Sequence, residues 1–462
     1  MEIPTIQINL DYFVELGQLP VPDLLWQLFI DGGWVLVLWL AFMAAWFTFT
    51  SRQKAKYAAK ISYTMLAVHV PRDSEQTPLA MEHIFAQVAS VYSSKSWWEE
   101  KIGGEFNPGF SFEIVSLGGI IYFYIHTPSK YRDLIEAAIY SQYPDCEIIE
   151  TTDYADQVSV PSEEYDVTGT EFQLKKHWAY PIRTYKQFED KLAEITFKDP
   201  LSGFFEAMNT LSQGEQIWVQ FLVFPCGDKW QEKGAEVISK ITGKKITAKA
   251  SSTDKLIEAS MSWPKAFVEQ ATGVGFEEAK PVDKKKEEKK DLTPGDKKVL
   301  EAVQEKLAKI GFQCKIRVIY VGRHDVFSKG RMSAVKGALH QFGSLDLNQF
   351  KGLKAVVPKK NTLLNPGRAK SMKRMLVSAY RKRSGTGGTP FYLNTEELAT
   401  VYHFPMRDVK APLLKRTEAK RMQPPTDLPL EGNYVSPKIR GADEDYDGQD
   451  FKDEPPANLP TG

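Results

Sequence analysis

The sequence predicts an α+β protein held to a membrane by one N-terminal transmembrane helix. Three observations predict it: an uncharged apolar run near the N-terminus, a β-α-β-β-α-β order of elements directly after it, and a polar, acidic C-terminal end. At 462 residues, the chain has room for two or three domains of roughly 100–200 residues each. Its 42% hydrophobic and 26% charged residues suffice for a real core, and they exclude a wholly disordered chain, a multi-pass transporter and a small secreted domain.

The anchor comes first. Residues 32–50, GGWVLVLWLAFMAAWFTFT, contain no charge over 19 positions. At about 1.5 Å per residue they nearly match a hydrocarbon core of about 30 Å. Trp34 and Trp46 lie near the two ends, where indoles favour the headgroup boundary, and Trp39 lies between them. The first base of the chain is Arg52, followed by Lys54 and Lys56, whereas residues 1–51 carry five acids. The positive-inside rule then puts 1–31 outside and the bulk of the chain in the cytoplasm, on the inner membrane of a cell. A cleaved signal peptide fits poorly, because no basic region precedes the run and the run exceeds roughly 7–15 residues. A buried core helix is the alternative reading of the same run.

Residues 60–152 follow as one α+β unit. ISYTMLAVHV (61–70) is strand-like; Thr77-Pro78 then opens a helix with Met81, Ile84, Phe85, Val88 and Val91 on one face. FSFEIVS from Phe110 alternates apolar and polar residues and is expected at a sheet edge. After Gly118-Gly119, IIYFYI is apolar on both faces and suits the sheet centre. A second helix is expected from Thr127-Pro128 to Pro144, burying Tyr131, Leu134, Ile135 and Ala138, before a last strand, CEIIET. This order is that of a ferredoxin-like sandwich.

Residues 160–345 read as a second α/β layer. A strand is expected from about Tyr165 to Tyr180 and a helix from about Leu201 to Leu211, then a turn at Gly214 into the strand QIWVQFLVF. The stretch 272–293 mixes acids and bases with almost nothing apolar and reads as a solvated linker. Thr293-Pro294 then caps a helix with Val299, Val303, Leu307 and Ile310 on one face; Gly311 ends it and CKIRVIYV forms a strand. One more helix is expected near Met332–Gln341. A second copy of the ferredoxin-like unit is possible, although no residue-level repeat marks it.

Charge is segregated although the net formal charge is zero. Between the acidic N-terminal 51 residues and the acidic 442–462, the chain holds 58 bases and 47 acids. Within the segment 347–410, residues 347–395 hold eleven bases and no acid, which equals this excess. Within it, Lys370, Lys373, Arg374, Arg381, Lys382 and Arg383 flank an apolar stripe of Met372, Met375, Leu376 and Ala379, while Lys359, Lys360 and Arg368 precede it. Such a basic helix suits nucleic-acid phosphates, an anionic leaflet or an acidic partner, and equally a solvated face that only aids solubility. Residues 424–462 are Pro-rich and then acidic, a composition expected to stay disordered.

No catalytic signature accompanies these features. TGKK at 242–245 lacks the glycine and hydroxyl residue of a phosphate-binding loop, and GTGG at 385–388 has no following lysine. Seven scattered histidines form no HExxH pair, and three distant cysteines form no CxxC. The cysteines, in or beside apolar strands, read as inert core residues. No serine sits in a G-x-S-x-G elbow. No cofactor is expected.

Several runs carry a family likeness: MEHIFAQVAS from Met81, the run from Phe110 to Ile148, DPLSGFFEAMNTLSQGEQIWVQFLV from Asp199, and LNTEELATVYHFP from Leu393, which ends in Tyr402, His403, Phe404 and Pro405. Together they resemble the membrane-proximal N-terminal region of bacterial conjugative-transfer (type IV secretion) ATPases and coupling proteins. In those relatives the last motif leads into the motor domain; here 57 mostly polar residues follow Pro405. The resemblance implies a fold and a cellular context without a motor: a non-enzymatic platform or adaptor whose partners are membrane lipid and a separately encoded conjugative-type ATPase. The alternative is a membrane-tethered module that binds DNA through the bases between 351 and 383.

Overall fold

The computed structural model describes residues 19–71, 74–188, 199–243, 292–353, 366–385 and 390–406. Outside these lie most of the expected N-terminal segment and of the charged linker, Lys359, Lys360, and the whole acidic tail. A short helix, α1 (Val21–Leu28), meets the long helix α2 (Trp34–Lys60) through a π turn in which Gly32 adopts φ 123°. Only glycine takes that backbone angle without a steric penalty. Helix α2 is 27 residues long, has no buried residue, and is long and apolar enough to cross a membrane. It begins two residues later than expected and continues past Thr50 to Lys60, so Arg52, Lys54 and Lys56 ride on the same helix. At 1.5 Å per residue it measures about 40 Å, longer than the roughly 30 Å apolar core.

The chain then builds one antiparallel nine-stranded sheet. Its first part is β1 (Tyr63–His69), α3 (Pro78–Ala89), β2 (Phe110–Leu117), β3 (Ile120–Pro128), α4 (Arg132–Gln142) and β4 (Glu147–Thr151). The second is β5 (Tyr165–Leu174), α5 (Ser202–Asn209), β6 (Glu215–Pro225), α6 (Lys229–Thr242), α7 (Pro294–Leu307), β7 (Gly311–Arg323), α8 (Lys329–His340) and β8 (Phe350–Gly352). The spatial order is β4-β1-β3-β2-β6-β7-β5-β8. The first four strands thus stand in the order 4-1-3-2, and the second four repeat it from the opposite edge, with α6 and α7 inserted between the middle strands of the repeat. Backbone pairing of β2 with β6 joins the halves. The C-terminal part adds α9 (Arg368–Arg381), β9 (Phe391–Asn394) and α10 (Thr395–Val401). Strand β9 pairs with residues 311–314 of β7, just before the stretch that β5 covers.

Strand alternation sorts side chains between two cores. Phe112 and Ile114 of β2, Val219 and Phe221 of β6, and Ile316 and Val318 of β7 join residues of α3, α4, α5, α8 and α10 on one face. Val115, Trp218, Ile319 and Val321 face the other side, where Leu376, Val377 and Tyr380 of α9 cover them.

The structure corrects several sequence expectations. The half-polar strand β2 is not at an edge: it pairs with β3 on one side and β6 on the other, because its polar face is covered rather than solvated. Thr127 and Pro128 belong to the end of β3, and the helix begins at Arg132 after a single 3-10 turn. Strand β5 ends at Leu174. Helix α7 ends at Leu307, leaving Ile310 half-exposed, and Gly311 opens β7, where a Cβ would collide with the Trp230 indole at 2.4 Å. Of the expected stripe on α9, Leu376 is buried, Met372 and Ala379 are half-buried and Met375 is exposed, while Val377 and Tyr380, outside that stripe, are buried.

Candidate functional site: a buried charge ladder beneath the basic helix

The polar residues of the α9 face stand in register. Glu113 of β2 lies opposite Gln220 of β6, Gln220 opposite Arg317 of β7, and Arg317 opposite Glu171 of β5. All four are buried. A buried polar group without a partner costs on the order of 1–3 kcal/mol, so such a row persists only where each member is bonded to the next. Gln220 Nε2 donates to Glu113 Oε1 at 2.9 Å, Arg317 Nη1 donates to Gln220 Oε1 at 3.3 Å, and Arg317 Nε donates to Glu171 Oε1 at 2.7 Å. Lys315 stands 3.5 Å from the same Glu171 carboxylate.

The segment after α9 closes the ladder. Arg317 donates to the carbonyls of Ala379 and Ser384, at 3.2 and 2.5 Å. Arg383, whose φ of 45° lies in the left-handed region, turns its guanidinium inward to Glu113 and Asp153. Ser111 and Tyr154 also donate to Glu113, at 2.5 and 2.6 Å, and the Tyr154 and Tyr380 hydroxyls are bonded at 2.7 Å. Burial alone would push the Glu113 carboxyl up; Arg383 and these donors hold it below its usual value. Burial raises both tyrosines well above theirs. It also lowers His126 to about 4, with Arg383 adding to the effect, so that ring is neutral.

The expected basic surface is therefore divided. Arg383 is used inside the fold, Arg381 donates to the Ala155 and Val158 carbonyls, and Lys373 pairs with Asp166. Lys370, Arg374 and Lys382 are exposed, and Arg368 is half-buried. A cavity of about 390 Å³ opens beside the start of α9 between Ser162, Glu163, Asp166, His324, Lys370 and Lys373. Its lining mixes both signs of charge.

The LNTEELATVYHFP segment lies in the opposite core. Asn394 and Glu397 form a reciprocal capping box that starts α10. Glu397 also pairs with Lys306 at 2.9 Å, both side chains fully buried, and burial lowers Lys306 against the attraction of Glu397. His403 places Nδ1 at 2.8 Å from the Ala399 carbonyl and Nε2 at 3.0 Å from Asp199 Oδ1. Burial would raise Asp199, but His403 and the amides of Leu201 and Met406 hold it below its usual value. Tyr402 and Phe404 are buried, and the Tyr402 ring packs among Phe85, Phe112, Phe123, Phe221 and Phe404.

Burial also raises the thiols, Cys146 to about 12, Cys226 to about 11 and Cys314 well above its usual value, which disfavours the reactive thiolate. Among the described residues no group of three His, Cys, Asp or Glu side chains gathers to hold a metal ion. Near the N-terminus, the anchor residues Trp34, Trp39, Arg52, Lys54 and Lys56 are exposed on α2, and Trp46 is partly covered.

Sequence reasoning did not single out Glu113, Glu171, Gln220, Arg317, Lys306, Glu397 or Asp199. Charged or amide residues inside otherwise apolar strands, such as the arginine of CKIRVIYV, were the available signal.

These features define a mixed α+β protein with one antiparallel sheet behind a helix long enough to cross a membrane. Residues 49–417 match the family described as a domain of unknown function, DUF8128, and the chain belongs to that family. No curated protein matches the chain.

Proposed function

We propose that the protein is a non-enzymatic, membrane-anchored cytoplasmic platform, and that it serves as an adaptor in a conjugation-like (type IV secretion) translocation machine. The observation that carries the platform reading is the close packing of the anchor helix against the loop before β2. A Cβ on Gly104 would meet the Gln53 backbone at 2.3 Å, and the Tyr57 and Phe106 rings contact edge to face at 5.3 Å. The loop before β2 thus grips α2 beyond its apolar stretch and holds the sheet at a set distance from the bilayer. The repeated 4-1-3-2 strand order supports two ferredoxin-like units fused edge to edge. The secretion context is supported by the sequence likeness to conjugative ATPases alone. Cross-linking of the tagged full-length chain in native membranes, followed by purification, tests the reading. A separately encoded conjugative-type ATPase should co-purify. ATP turnover by the purified chain, lost on substitution of one of its own residues, would overturn it.

A second reading, a membrane-tethered module that binds DNA, is favoured by the exposed Lys370, Arg374 and Lys382 on α9, in a segment with no acid across 347–395. Steep loss of duplex affinity with added salt would support it.

A further inference from the structure

Between α3 and β2 the chain makes a loop whose base is closed by Asn107: its Nδ2 donates to the Ser93 carbonyl at 2.9 Å and its Oδ1 accepts from the Ser93 amide at 3.2 Å. The tip carries three large apolar residues in solvent: Trp97 (53% exposed), Trp98 (67%) and Ile102 (39%). Burying such side chains is worth roughly 1.5–3 kcal/mol each, so their joint exposure on a pinned loop calls for an occupant. Position identifies it. The Trp97 ring stacks on Trp46 of α2, with centroids 6.2 Å apart and planes 17° apart, and Trp98 sets edge-on against Trp97 at 4.9 Å. Trp46 lies six residues before Arg52, roughly 9 Å along the helix axis, and so within the uncharged run. Whatever medium surrounds that turn of α2 also surrounds Trp97.

We propose that this loop, with Trp97, Trp98 and Ile102 at its tip, inserts into the headgroup–acyl boundary of the same bilayer that α2 spans, as a second membrane contact at the Arg52 end. Indole rings favour that boundary, where the apolar ring is buried and the N–H stays wet. The loop's charges permit it. Lys95 pairs with Glu105 at 3.0 Å and Lys101 with Glu100 at 2.8 Å, while Glu99 accepts the Ser96 amide at 2.7 Å. The contact would fix the rotation and tilt of the platform, which a single helix leaves free.

The inference rests on α2 being the membrane span, and the test separates the two. The full-length chain is reconstituted in vesicles of unlabelled lipid, of phospholipid brominated near the headgroup, or of phospholipid brominated near the chain end, and tryptophan emission is recorded. Trp97→Phe/Trp98→Phe should remove from the shallow-quenched emission the share of two of the ten tryptophans. Trp39→Phe should reduce the deep-quenched emission. Trp98→Phe alone, which keeps the Trp46–Trp97 stack, should give about half the loss of the double variant. If the Trp39 signal is deep-quenched and the double variant changes nothing, the loop contact is overturned and the span stands. If Trp39 is not quenched, the span fails, and the inserted loop fails with it.

Discussion

Arg383 donates from Nε to Glu113 Oε1 at 3.0 Å and from Nη2 to Glu113 Oε2 at 3.2 Å, a fork closed between residues 270 positions apart. The same guanidinium reaches both oxygens of Asp153. One arginine thus locks α9 to the centre of the sheet and to the segment after β4. Bidentate geometry makes this the strong form of the carboxylate–arginine bond.

Removing the arginine leaves Glu113 buried without its counter-charge. Arg383→Gln is expected to destabilise the fold by about 3–5 kcal/mol, the usual cost of breaking a buried pair from one side. Glu113→Gln should cost less, because Asp153 still faces Arg383. Denaturant midpoints of the three proteins check this; equal midpoints for Arg383→Gln and the parent would show that the fork contributes nothing.

Glu113 and Asp199 both have folded values below their ordinary ones. Through the acid range the folded chain therefore binds fewer protons at these sites than the unfolded chain. Their stabilisation is complete above the ordinary carboxylate range and is lost as pH falls through the folded values. A Glu113→Gln or Asp199→Asn variant should show a flatter decline in thermal midpoint on the acid side. An acid limb as steep as the parent's in both variants would contradict the assignment.

Tyr402 tests the opposite core. Its ring sits among five aromatic neighbours, and among the described residues its buried hydroxyl has no hydrogen-bond partner. Tyr402→Ala is expected to cost about 3–5 kcal/mol through the cavity it leaves. Tyr402→Phe should be neutral or stabilising by about 1 kcal/mol, since it removes a buried unpaired polar group. Clear destabilisation by the Phe variant would point to a bond made by the hydroxyl.

Surface binding should follow exposure rather than the number of bases. Replacing Lys370, Arg374 and Lys382 by Gln should leave stability nearly unchanged. If these bases neutralise duplex phosphates, the log–log salt slope should shrink by about 0.9 for each phosphate left unneutralised. Deleting 442–462 should strengthen any such binding if the acidic tail screens the patch. Unchanged binding to DNA and to anionic vesicles in both variants would leave α9 as a solvated face.

Topology is checked with tags. With Arg52, Lys54 and Lys56 on the inner side, an N-terminal tag should be cleaved by protease added to intact cells, and a tag after Gly462 should be protected. The reverse pattern would invert the orientation.

What the sequence determined by itself was local. Helical spacing of Met81, Ile84, Phe85 and Val88 marked α3, the turn at Gly214 into the apolar run QIWVQFLVF marked β6, and an uncharged run followed by bases marked α2, because each signal depends on neighbours within a few residues. What only the tertiary structure decided was what covers each face. Ser111 and Glu113 look like the wet side of an edge strand until a segment 270 residues away supplies Arg383, and the same fold engages Lys373 and Arg381 of the basic run in partly buried bonds. Likewise, only packing sets Trp97 against Trp46, 51 positions earlier in the chain. The register that aligns Glu113, Gln220, Arg317 and Glu171 across four strands is a property of long-range pairing. A polar residue's local pattern is the same whether water or an arginine awaits it, and only the assembled sheet distinguishes the two.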